Sequence, residues 1–150
     1  MNPATKVIAK SSPLLDRKIE EISAGLAASS ANNLHSISED NATTIVKYIG
    51  VMKVETNLAD HYRKDLIEVL CRFSKYNDNK PYRDLTRDNI ITFLETFRKT
   101  ETQDPLHKWI GTYNIFRIHL VRFFKWLYSP DIEPDKNLKS AGEPLHLVQS

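Results

Sequence analysis

Between Tyr113 and Leu127 the side chains Tyr113, Phe116, Leu120, Phe124 and Leu127 recur at steps of three, four, four and three. Residues three and four apart share one side of an α-helix, so this run makes one continuous buried stripe. The same period returns at Ile45, Ile49 and Met52, at Leu58, Tyr62, Leu66, Val69, Leu70 and Phe73, and at Ile90, Phe93, Leu94 and Phe97. β-Branched alternation is absent and only four of the 150 residues are glycine. The expectation is an all-α fold, a bundle of four to five helices with flexible termini.

Short polar side chains and prolines place the helix ends. Ser38, followed by Glu39 and Asp40, reads as the cap of a helix ending near Glu55. Thr56 or Asn57 opens the next, which runs to about Tyr76. "NDNKPYRDL" then breaks the chain, since Pro81 disfavours a helical Lys80. Thr86 caps a third helix, supported by Asp88, and "TETQDP" leads to a fourth from about Leu106 to Leu127. Upstream, "PLLDRKIEEISAGLAA" suits one helix with Leu15, Ile19, Ile22 and Leu26 on a face, and "SSANNLHS" reads as a linker. Residues 1–37 are therefore expected to be an extension, partly disordered or one loose helix. Residues 38–129 form the domain, and 130–150, with "SPDIEPDKN", a linker or truncated tail.

The chemistry of enzymes finds little purchase here. The one cysteine, Cys71, sits beside the stripe residue Leu70 and reads as a small buried thiol. His35, His61, His107, His119 and His146 are scattered, and there is no HExxH or CxxC, so no metal is expected. No GxGxxG or GKS/T loop suggests a nucleotide, and no cofactor or small-molecule substrate is expected. No apolar run is long enough to cross a bilayer, no secretory signal is apparent, and a single cysteine suits a reducing, cytoplasmic setting.

Charge points towards binding. The net charge is only +2, but from His61 to Tyr128 thirteen Lys or Arg stand against eight Asp or Glu. From Pro105 to Tyr128 Lys108, Arg117, Arg122 and Lys125 meet no acid at all. At about 100° per residue, Lys108, Gly111, Ile115, His119 and Arg122 fall opposite the core stripe, flanked by Asn114 and Lys125. Such a face can meet phosphates through its cations and through Thr112 and Asn114, with the helix N-terminus adding free backbone N–H groups and Gly111 allowing close approach. The bland alternative is a solvated basic face, leaving a helical protein-interaction module with Trp109 and Trp126 as its contact surface.

The order of elements resembles the core-binding domain of the tyrosine recombinases, the phage-integrase family, over residues 38–136. "TNLADHYRKDL" (Thr56 to Leu66) is similar to the family's capped opening with Tyr-Arg-x-Asp-Leu, matched by Tyr62, Arg63, Asp65 and Leu66. "DLTRDNIITFLETF" resembles its next helix start, with Asn89 inserted before Ile90. "GTYNIFRIHLVRFFKWLY" resembles its last helix, the Arg-x-Phe-Phe-x-Trp-Leu end being Arg122, Phe123, Phe124, Trp126 and Leu127. The resemblance implies a SAM-like bundle gripping one side of double-stranded DNA, with a full-length recombinase or another subunit as further partners. It points to Tyr62 and Arg63, and to Gly111, Thr112 and Asn114, as DNA-facing; Tyr62 also lies on the core stripe, which leaves Arg63 and Lys64 to reach phosphate, beside the cations Lys108, Arg122 and Lys125. The family's catalytic Arg, His-x-x-Arg and Tyr have no counterpart here, so the resemblance implies binding without catalysis.

Overall fold

Ser12 accepts the Leu15 N–H on its hydroxyl at 3.1 Å and starts α1, Pro13–Ile22, whose Leu15, Ile19 and Ile22 are buried. In this computed structural model, which describes residues 12–56 and 59–128, five more α-helices follow: α2 Ala28–His35, α3 Glu39–Thr56, α4 Asp60–Tyr76, α5 Arg87–Glu95 and α6 Trp109–Tyr128, with a 3-10 turn at Tyr82–Asp84. Among the described residues there is no strand, so the fold is all-α. The chain divides into two compact units, one up to Tyr82 and one from Arg83 onward.

The first unit is built from α1 to α4. α1 packs on α3, α2 on α4, and α3 on α4. Most of residues 29–36, expected as a linker, lies in α2, Ala28–His35. Its cap position Ala27 makes no side-chain bond, and the helix buries Ser30 and Leu34. So residues 13–35 are two packed helices where a loose extension was expected, and Leu26 falls in the turn between them. Packing, rather than a local start signal, makes this segment helical.

Ser38 caps α3 as expected, its hydroxyl accepting the Asn41 N–H at 3.2 Å. Asn41 is itself fully buried. It donates to the Ser74 hydroxyl at 2.8 Å and to the Lys80 carbonyl at 3.0 Å, and accepts the Tyr82 N–H at 3.2 Å. Ser74 in turn donates to Asn79 Oδ1 at 2.8 Å. The turn after α4 thereby gains side-chain partners for a backbone with Asp78 and Asn79 at φ 55° and 59°, a region their short polar side chains tolerate. Tyr82 closes the same corner, donating its hydroxyl to the Leu70 carbonyl at 2.6 Å.

α4 begins later than expected. α3 continues through Thr56, and the helix restarts at Asp60 with Ala59 at its cap, where Arg63 N–H bonds the Ala59 carbonyl at 3.1 Å. Asn57 and Leu58 lie outside the described residues, as does the whole of 130–150.

In the second unit α5 packs on α6. Thr86 caps α5 in a reciprocal box, its hydroxyl facing the Asn89 N–H at 3.4 Å while Asn89 Oδ1 accepts the Thr86 N–H at 2.8 Å. Phe93, Phe97 and Phe116 form an aromatic cluster with centroids 4.8 to 6.2 Å apart. α6 starts at Trp109 rather than Leu106, because His107 has a φ of 54° and breaks any helix there.

Candidate nucleic-acid interface

α6 has two different halves. From His119 to Leu127 every residue is buried except Arg122. From Ile110 to Ile118 most side chains reach solvent, including Gly111, Thr112, Asn114, Ile115 and Ile118. At about 100° per residue Gly111, Ile115, Ile118 and Arg122 lie on one narrow stripe, with Thr112 and Asn114 to its two sides. Lys108, just before the helix, is exposed as well. Among the described residues nothing crowds Gly111: an added Cβ meets none of their atoms within 4 Å.

One of the three cations expected here, Lys125, is not at the surface. Lys125 is only 4 % exposed. Burial pushes its ammonium pKa down, helped by the neighbouring Arg122. His119, expected on the basic face, is buried too, and Trp126 lies under the surface with its ring 6.1 Å from Phe123. A helix buried on several sides has no single polar face, so a wheel drawn around one stripe misplaces these residues.

The amides at the start of α6 are also taken. Asp104 Oδ2 accepts the Trp109 N–H at 2.8 Å, and the Ile110 and Gly111 N–H groups bond the His107 and Lys108 carbonyls, both at 3.2 Å. The bond from Trp109 is the main reason the Asp104 carboxyl is held below its ordinary pKa, with smaller help from the Lys108 backbone N–H, Lys99 and His107. The Trp109, Ile110 and Gly111 N–H groups expected to be free for phosphate are therefore taken. Arg98 lies over the Trp109 ring at 5.1 Å, and Trp109 meets Tyr113 edge-on at 5.9 Å, which withdraws Trp109 from the surface.

Arg63 corrects the other half of the expected site. It is 5 % exposed, and its guanidinium donates to the Ile22 carbonyl at 2.6 Å, the Ala24 carbonyl at 3.0 Å and the Asp60 carboxylate at 2.7 Å. Those carbonyls close the C-terminus of α1, where helical carbonyls lack partners and the dipole is negative. Gly25, at φ 85°, completes the turn, and its Cβ direction points at Arg63 Nη2 3.8 Å away. Arg63 is thus a clamp inside the first unit. Lys64 beside it stays exposed.

Among the described residues no three His, Cys, Asp or Glu side chains gather as metal ligands. Cys71 is buried, and burial pushes its thiol up to about 12, far from the range of a nucleophile. No described helix is long and apolar enough to cross a membrane. The sequence reading missed the exposed isoleucines of α6 as a surface feature, although Ile115 already stood opposite the core stripe. No family model matches the chain, and neither a curated protein nor a solved structure matches it.

Proposed function

We propose that the chain is a DNA-binding module of the recombinase core-binding kind, gripping the backbone of duplex DNA with the exposed half of α6 and supplying no chemistry of its own. One observation carries this reading: the only charged side chains between Pro105 and Tyr128, histidine set aside, are cations. Of these, Lys108 and Arg122 are exposed, and Thr112 and Asn114 beside them can donate to phosphate oxygens. The order of helix motifs that resembles the recombinases supports DNA as the polyanion, and Lys64 gives the first unit a cation of its own. With two exposed cations, Lys108 and Arg122, at this surface, binding is weak and sequence-tolerant, with a Kd of about 10 μM or higher at physiological salt.

A second reading has its own support. Ile115 and Ile118 are 49 % and 42 % exposed on the stripe between Gly111 and Arg122. Exposed isoleucines on a helix suit a protein contact, with the charges around them as a polar rim. On that reading the contact is the isoleucine stripe and not the Trp109 and Trp126 pair, since Trp126 is buried. Salt-dependent duplex binding, compared between Lys108→Ala/Arg122→Ala and Ile115→Ser/Ile118→Ser variants, separates the two.

A further inference from the structure

Within the first unit an apolar groove of about 600 Å³ opens between α1 and α3. Leu15, Ile22, Val46 and Val51 wall it, and Leu14 stands at its edge, 59 % exposed. Lys18 from α1 and Lys47 from α3 stand on its rim, both exposed, with Glu21 as the single carboxylate. Neither lysine makes an ion pair or hydrogen bond with another described residue. Gly50 lies in the lining, inside α3, where glycine disfavours the helix. Among the described residues nothing explains it: a Cβ added there meets none of their atoms within 4 Å. The missing side chain widens the groove.

We propose that this groove binds a single-chain amphiphilic anion of the fatty-acid type, its aliphatic tail along Leu15, Val46 and Gly50 and its carboxylate between Lys18 and Lys47. Three features select this occupant. The volume falls in the range of about 300 to 1,000 Å³ usual for small-ligand sites. Ten residues line the groove, whereas a stable protein partner needs about 20 to 30 on each side. Among the described residues the rim carries two cations without an ion-pair partner against one acid, which suits an anion over a cation.

The test titrates the full chain with dodecanoate, below its micelle concentration, by calorimetry. Saturable one-to-one binding is expected, at least about tenfold tighter than that of dodecyltrimethylammonium. Gly50→Leu, which fills the groove and favours the helix, is expected to keep or raise the melting midpoint while weakening dodecanoate tenfold or more. Lys18→Gln/Lys47→Gln, confined to the exposed rim, is expected to weaken dodecanoate but not dodecanol, and keeps the test decisive should the glycine variant fold poorly. Lack of saturable binding, undiminished binding in a folded Gly50→Leu chain, or equal affinity for the cationic amphiphile would overturn the proposal.

Discussion

The Arg63 guanidinium donates from Nη2 to the Asp60 carboxylate at 2.7 Å, one turn earlier on α4, and to the Ala24 carbonyl, and from Nη1 to the Ile22 carbonyl at the end of α1. The carboxylate is largely in solvent while the guanidinium is buried. The two carbonyls, and not the ion pair, therefore decide what Arg63 contributes. Arg63→Ala is expected to destabilise the first unit by about 3 kcal/mol, because it leaves buried acceptors without donors. Asp60→Asn, removing only a solvent-screened partner, is expected to lower stability by less than about 1 kcal/mol. Urea unfolding of the two variants measures both, and equal losses would contradict the clamp.

Asn41 gives a second stability prediction. It links the start of α3, the end of α4 and the turn to Tyr82 by three hydrogen bonds from a fully buried side chain. Asn41→Ala is expected to lower stability by about 2 kcal/mol, and Asn41→Asp by no less, since a buried carboxylate cannot donate to Ser74 and Lys80. Thermal unfolding by circular dichroism reads the change.

Asp104 gives a pH prediction. Its folded pKa is depressed, chiefly by the Trp109 N–H. A depressed carboxylate contributes stability that is present above its unfolded pKa and lost as pH falls through its folded one. The Trp109 amide resonance is therefore expected to titrate with a midpoint below about 3.9, the ordinary Asp value, and Asp104→Asn to abolish that titration. A midpoint at or above the ordinary value would remove the carboxylate from the start of α6.

Cys71 is a reporter of unfolding. Its thiol, pushed up to about 12 by burial, is expected to ignore a thiol-specific disulfide reagent at pH 8 in the native protein. In urea its labelling is expected to follow the loss of helical signal. Rapid labelling without urea would place the thiol at the surface.

Much of the architecture was legible where the signal is local. Ser38 and Thr86 cap the helices they were expected to cap, because a hydroxyl finding an amide three residues on needs nothing distant. α2 was not legible: it has no side-chain cap, only Ser30 and Leu34 are buried on it, and its main packing partner, α4, lies far away in sequence. The candidate site was legible in part. Lys64, Lys108, Gly111, Thr112, Asn114 and Arg122 are exposed as the sequence suggested. Arg63 was misplaced because its acceptors, 39 and 41 residues away, give no local sign. Lys125 was misplaced because the end of α6 is buried on several sides rather than along one stripe.

The most direct test of the central claim is fluorescence anisotropy of a labelled DNA duplex across a salt series, with the folded wild type, Lys108→Ala/Arg122→Ala and Ile115→Ser/Ile118→Ser. If α6 grips phosphates, the wild type binds at low salt with a log–log slope of about −2 from its two exposed cations. The charge variant then loses at least about tenfold in affinity, and the isoleucine variant binds nearly as well as the wild type. A folded wild type that ignores duplex DNA at low salt, or a charge variant that binds as tightly as the wild type, would contradict the account and leave the isoleucine stripe as the working surface of α6.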